Sequence, residues 1–296
     1  MGRPRGGRPP HRHRDPHLSA RRAAGRGAGE LSRRRTPEHL PGLIDSHCHL
    51  QDDAFAHDLD AVLERAAAAG IERIVVPGWD AASSEAALEL AARHPQLLPA
   101  VGIHPNWAAG AGEADLQAVE ALAAERTVVA VGEIGLDFHR QHTPHDIQRA
   151  TLDRMLALAS HVAKPVLVHD REAHDAVLER LLAWEGPPGR AVPGVMHCFS
   201  GEAAMAETLA AAGWLISFAL PVAFSSSRGP RAAAAALPEG ALLVETDAPY
   251  LGPGAGIRNE PTTTLRVAAA LARLRAGTPE AIATLVAVNL ERALGG

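Results

Sequence analysis

The chain has 296 residues, a formal net charge of −5 and 47% hydrophobic residues. That length suits one large domain or two small ones, and no run nears the roughly 18 to 20 consecutive apolar residues of a membrane span. Two cysteines, Cys48 and Cys198, are too few for a disulfide framework and fit a reducing, cytoplasmic setting.

Residues 1–40 hold eleven arginines against three acids, a formal +8, so residues 41–296 must carry −13 for the chain to total −5. The stretch is rich in Arg, Pro and Gly and has no apolar period. It cannot bury enough surface to offset its ordering entropy, which predicts a disordered extension. A nucleic-acid-binding arm and a transit peptide are competing uses, and no apolar segment follows Arg21-Arg22 as a secretory signal requires. The preferred reading is an inert tail or a start site placed too early. His11, His13, His17 and His39 fall in this arm and are assigned to no site; nor are His142 and His145, near a helix start. An acidic body argues against broad electrostatic capture of nucleic acid, yet permits a local basic or metal-bearing cleft.

From residue 43, apolar runs alternate with alanine-rich helical segments. Predicted strand 43–47 is followed by helix 55–69, 73–77 by 83–93, 98–103 by 113–125, and 128–134 by 145–161. Then 165–169 precedes 172–184, 194–199 precedes 202–212, and 214–219 precedes 229–236. The last run, 241–245, leads to two closing helices, 262–275 and 279–294. The strands read as continuous apolar runs, as in a parallel sheet covered by helices. Ser83, Thr143 before Pro144 and Thr278 before Pro279 are expected helix caps. Eight such units predict an α/β fold, a (β/α)8 TIM barrel over residues 41–296. A doubly wound sheet is the other candidate, but no G-x-G-x-x-G follows the first strand, which removes its dinucleotide-binding version.

In such a barrel the active site lies at the C-terminal ends of the strands. Polar residues recur there. The first strand ends in His47 and His49, which share a face at i, i+2. The third ends at His104, the fourth in Gly132-Glu133-Ile134-Gly135-Leu136-Asp137, the fifth in His169-Asp170-Arg171. The sixth ends in His197-Cys198 and the eighth in Glu245-Thr246-Asp247. The second and seventh, ending at Pro77-Gly78 and Leu220-Pro221, offer little chemistry. Singly, each residue has a structural reading: a hydrogen-bonded histidine, a turn glutamate, a capping aspartate. Together on one rim they predict a metal centre built from His47, His49, Glu133, His169, His197 and Asp247.

Four imidazoles and two carboxylates exceed the places around one tetrahedral zinc. They suit two divalent ions, zinc, manganese or magnesium, with Glu133 as the bridge. Such a pair activates water for hydrolysis. Glu133 and Asp247 are the expected catalytic residues, Asp247 orienting the water or taking its proton. His104, Arg171 and Arg258 are candidates for substrate binding, since guanidinium groups pair bidentately with phosphate. Either arginine could equally be a surface ion-pair partner.

Six ordered motifs then carry a resemblance. They are His47-x-His49 after Ile44-Asp45, Gly132 to Asp137, Pro165-Val166-x-Val168-His169-x-Arg171-x-Ala173, His197-Cys198-Phe199-Ser200-Gly201, Glu245-Thr246-Asp247-x-Pro249-Tyr250-Leu251, and Arg258-Asn259-Glu260-Pro261. Over residues 43–294 the chain resembles the TatD family of metal-dependent deoxyribonucleases. The resemblance implies an amidohydrolase-type TIM barrel, divalent metals, and hydrolysis of phosphodiester bonds in DNA, often from the 3′ end. Its metal ligands correspond to the six residues already selected. Three positions depart from the family: Asn106 where a second histidine is common, Ala255 where arginine is common, and Met155 where glutamine is common. These leave the metal set intact and weaken the expected grip on substrate.

The reading is a deoxyribonuclease acting on ends or single strands of DNA, with no membrane or obligatory protein partner. The rival is an amidohydrolase or esterase acting on a small molecule or a tRNA ester. Many two-metal amidohydrolases use a carbamylated lysine on the fourth strand. Here the sole lysine, Lys164, precedes the fifth strand, at the wrong end of the barrel. A non-enzymatic metal-dependent scaffold is the third reading.

Overall fold

Eight short strands lie side by side in the order in which they occur in the chain, every neighbouring pair parallel. The structure is a computed structural model and describes residues 36–295. The strands are β1 (Leu43–Asp45), β2 (Ile71–Pro77), β3 (Leu97–Val101), β4 (Ala130–Asp137), β5 (Val166–Arg171), β6 (Gly194–Met196), β7 (Leu215–Phe218) and β8 (Leu242–Val244). Between them run α1 (Leu59–Ala68), α2 (Ala81–Arg93), α3 (Glu113–Ala123), α4 (His145–His161), α5 (His174–Ala183), α6 (Ala203–Ala211) and α7 (Arg228–Ala236). Two helices close the chain, α8 (Thr264–Leu274) and α9 (Pro279–Leu294).

The sheet curls until β8 meets β1. That seam carries hydrogen bonds from Ser46 N–H to the Val244 carbonyl (3.0 Å), from Asp247 N–H to the His47 carbonyl (2.9 Å) and from His49 N–H to the Ala248 carbonyl (2.7 Å). The predicted (β/α)8 barrel is therefore the fold, nearly closed. Its core is the Val, Ile, Leu and Ala of the strands and the inner faces of the helices. β4 is buried along its whole length, as a strand covered on both faces requires.

Residues 1–35 of the predicted extension lie outside the described residues. The body begins earlier than the expected residue 41. Leu40 is buried, its N–H donates to the Ala69 carbonyl (2.9 Å), and the ring of His39 meets the Ala68 carbonyl at 2.9 Å. Cap expectations fare unevenly. Thr278 accepts from Ala281 N–H as expected. Ser83 is instead the third residue of α2: Asp80 is the cap, and the two side chains bond each other's N–H groups. Pro144, not Thr143, precedes the first turn of α4.

Glycines set how closely the middle strands approach. A Cβ on Gly132 would stand 2.6 Å from Leu167 Cβ, and one on Gly102 would stand 2.9 Å from the Glu133 carbonyl oxygen. Gly135, at φ +144°, lies against the His169 carbonyl oxygen, where any Cβ would collide. These close contacts draw the ends of β3, β4 and β5 together, and with them His104, Glu133 and His169.

Candidate metal centre

Glu133 is the hub. Its carboxylate is buried among five histidines at the C-terminal end of the barrel. Oε2 faces Nε2 of His47 (3.4 Å) and Nε2 of His49 (3.5 Å). Oε1 faces Nδ1 of His169 (2.8 Å), Nε2 of His197 (2.9 Å) and Nε2 of His104 (3.5 Å). Asp247 completes the cluster, with Oδ1 3.6 Å from His49 Nε2. All six residues expected to hold metal converge, and His104 joins them from β3's end rather than standing at the rim.

The rings are aimed by the barrel. His49 Nδ1 donates to the Pro77 carbonyl at the end of β2 (3.1 Å). His197 Nδ1 donates to Glu245 Oε1 (3.2 Å), which also accepts Cys198 N–H (2.7 Å). Each bond leaves an Nε2 facing the cluster, the usual way an outer partner fixes a ligand tautomer. His104 differs. Its Nδ1 accepts Asn106 N–H (3.0 Å), so the proton of the neutral ring sits on Nε2 and points at Glu133. His197 also stacks on His47, with centroids 3.8 Å apart.

Burial opposes charge on every ring. It prevails at His47, whose pKa is lowered, and at His104, pushed down to about 3. Carboxylates prevail at His49 beside Asp247 and Glu133, at His169 beside Asp137 and Glu133, and at His197 beside Glu133 and Glu245; all three are raised. Burial works against ionised Glu133 too, but His104, His197 and His47 hold it well below the usual carboxylate range.

Divalent cations fit this donor set. His47 Nε2 meets His49 Nε2 at 3.2 Å, and His169 Nδ1 meets His197 Nε2 at 3.2 Å. Two ring nitrogens that face each other compete for one proton. His47 Nδ1 and His169 Nε2 are buried without a hydrogen-bond partner among the described residues. A cation bound to the lone pairs replaces such protons. Three groups have ligand atoms within 4.8 Å of one another: His47–His49–Glu133, His47–His197–Asp247 and His104–Glu133–His169. Mixed imidazole and carboxylate donors suit zinc, manganese or magnesium.

Substrate-binding expectations divide. Arg171 is half-buried and makes no ion pair among the described residues. Arg258 is not available for phosphate. Its four terminal N–H groups are spent on the Ala54 carbonyl, both oxygens of Asp58 and Oε1 of Glu260, while its guanidinium covers Phe55. The arginine missed by sequence is Arg140. Its backbone N–H is held by Asp137 Oδ1 (2.8 Å), and its Nε is buried with no partner among the described residues. Lys164 donates to the carbonyls of Ala123 and Glu125, before β4 and far from any bridging role.

Sequence reading also passed over three supports. Asp45 accepts Thr246 N–H (2.9 Å), Thr246 Oγ1–H (2.6 Å) and His47 N–H (3.2 Å), tying β1 to β8; burial pushes its pKa up to about 8. Asp137 accepts Asn106 Nδ2–H (2.8 Å) and faces His169 Nε2 (3.7 Å). Glu245 aims His197. Each lies within a quoted motif, two residues from a predicted ligand for Asp45 and Glu245 and four for Asp137, which was the available signal. Of the three departures, Asn106 thus serves the site through Asp137, Met155 is buried in the core, and Ala255 sits on an exposed loop.

Comparison with known proteins agrees with this architecture. The family described as "TatD related DNase" matches residues 44–295. A Bacillus subtilis protein described as the uncharacterized metal-dependent hydrolase YabD is 38% identical over 252 residues, covering 84% of this chain and 98% of the relative. The 3′-5′ ssDNA/RNA exonuclease TatD of Klebsiella pneumoniae is 35% identical over 242 residues, covering 79% and 90%. The crystal structure of the Escherichia coli TatD homolog YjjV superposes with a TM-score of 0.80 at 32% identity, covering 86% and 98%. Among the described residues, no helix is long and apolar enough to cross a membrane. The chain belongs to the TatD-related deoxyribonuclease family, metal-dependent hydrolases that act on ester bonds.

Proposed function

We propose that this protein is a two-metal phosphodiesterase that removes nucleotides from the 3′ ends of single-stranded DNA or RNA in a reducing, cytoplasmic setting. The observation that carries the proposal is the division of the Glu133 carboxylate, one oxygen toward His47 and His49 and the other toward His169 and His197. A carboxylate so divided is suited to bridge two cations. His47, His49 and Asp247 would hold one, and His169 and His197 the other. When bound, such ions make water nucleophilic at neutral pH and stabilise charge on a phosphoryl oxygen.

The chain's own groups supply the rest. Asp247, whose pKa is lowered although burial alone would raise it, stays ionised to orient water and accept its proton. Glu245 and the Pro77 carbonyl keep the imidazoles of His197 and His49 in register. The Nε2–H of His104 faces the cluster as a hydrogen-bond donor. Arg171 and Arg140 supply unpaired guanidinium groups for phosphate oxygens. Relatives described as ssDNA/RNA exonucleases support the substrate class.

The test is metal-reconstituted protein assayed on 3′-labelled single-stranded DNA and RNA beside a carboxylic ester and an amide. Stepwise release of the 3′ label's nucleotide is expected. Hydrolysis of the ester or amide with the nucleic acids left intact would contradict the proposal.

A further inference from the structure

Aromatic residues are scarce in this chain: 4 Trp, 1 Tyr and 5 Phe. Trp184 and Trp214 pack together, with centroids 6.1 Å apart. The other two tryptophans and the one tyrosine gather at the metal centre. Trp79 follows β2, its ring 5.3 Å from that of His49. Trp107 follows β3, its ring 5.2 Å from that of His104 and 6.1 Å from that of Trp79. Tyr250 follows β8, its ring 6.0 Å from that of His49. All three are partly exposed.

Their backbones are fixed to the site. Trp79 N–H donates to Ser83 Oγ (2.8 Å), and the Trp79 carbonyl accepts His104 N–H (2.9 Å). Trp107 N–H donates to the His104 carbonyl (2.9 Å), and Tyr250 N–H to the Asp247 carbonyl (2.9 Å). The rim is thus two-sided. Indoles stand beyond β2 and β3, while Arg140, beyond β4, and Arg171, at the end of β5, make no ion pair among the described residues. Indole rings carry large apolar faces that are normally covered. Here both indoles are partly exposed beside a cluster suited to the cations that would hold a phosphate, where a planar group joined to that phosphate would meet them.

We infer that Trp79 and Trp107 form the stacking platform for the base of a nucleotide flanking the scissile phosphate, with Tyr250 bounding the mouth on the β8 side. This rests on the phosphodiesterase reading. Stacking on an aromatic face tolerates every base, which suits an exonuclease that must process any sequence. It also gives an acidic body a means of holding single strands other than a broad basic groove.

The test compares single strands carrying an abasic residue at the terminal or penultimate 3′ position with the intact strand. Wild type is expected to lose about 10-fold in kcat/KM on one of the abasic strands. Trp79→Leu and Trp107→Leu are each expected to lose about 10-fold on the intact strand, so that the ratio of intact to abasic falls toward unity. Trp79→Phe should restore most of the ratio, with metal content unchanged in all variants. Equal losses on intact and abasic strands, or a wild type indifferent to the missing base, overturn the platform while leaving the phosphodiesterase reading standing. A wild type that hydrolyses esters and no strand at all overturns both.

Discussion

Glu245 has no solvent exposure, and one of its oxygens serves both His197 Nδ1 and Cys198 N–H. Replacing it by glutamine removes the charge that steadies the ring and sets a neutral amide beside it. Glu245→Gln is expected to weaken divalent-metal affinity by about 10- to 100-fold, measured by competition with a chromophoric chelator. Unchanged affinity would show that His197 needs no such partner. Arg258 makes the opposite case. Sequence makes it a candidate phosphate ligand, because guanidinium pairs bidentately with phosphate, or equally an ion-pair partner, and Asp58 and Glu260 claim it. Arg258→Ala should lower the thermal midpoint while changing KM for a single strand less than about two-fold. A large rise in KM would return Arg258 to the substrate site. Sequence offers no way to see which arginine meets a carboxylate, so Arg140, which meets none among the described residues, was invisible until the chain was folded.

At the scale of elements, β4 and its glycines decide where the ligands stand. Gly135→Ala would drive a methyl group into the His169 carbonyl oxygen and force β4 from β5. The variant is expected to fall in both thermal midpoint and activity, because the displaced residue is a candidate ligand; an unchanged midpoint would mean that the strands yield without strain. α5 is tied to β5 by His174 Nδ1 and Asp170 Oδ2 at 2.7 Å. That hydrogen bond raises the His174 pKa above its ordinary 6.5. The stabilisation is therefore complete below the unfolded histidine's pKa and fades as pH rises through the higher folded value. The gap in thermal midpoint between wild type and His174→Asn should be wider near about pH 6 than near about pH 9, and a gap that widens with pH would refute the assignment. Element identities were legible because apolar runs and alanine-rich periods alternate so regularly. Their ends were less so. β1 and β6 stop short of the predicted 47 and 199: His47 and His197 each keep a backbone bond to a neighbouring strand end, but the regular pairing ends before them, and Cys198 takes a positive φ of 45°. α5 starts at His174, after Glu172 turns through φ +56°. These local departures obey the site rather than the strand pattern.

Over the whole molecule, the barrel converts sequence distance into a ring: residues from 45 to 247 meet because each strand returns its end to the same face. The six candidate ligand positions could be selected from the chain for that reason alone, once eight strand–helix units were recognised. What could not be read is contact made between neighbouring strand ends, such as Asp45 with Thr246, Asn106 with Asp137, and Trp79 with Trp107, since no periodicity encodes it. An acidic body with tryptophans and arginines at the rim of the cluster accords with the proposed description, an enzyme that takes a single-stranded end at its metal centre. Titrating metal-free protein with zinc or manganese, while following hydrolysis of a 3′-labelled single strand, tests that description at its centre. About two ions per chain should bind, with activity rising only as the second is taken up. Glu133→Gln should bind metal more weakly and lose on the order of a thousandfold in turnover. Full activity with one ion per chain, or undiminished turnover in Glu133→Gln, would contradict a centre bridged by Glu133.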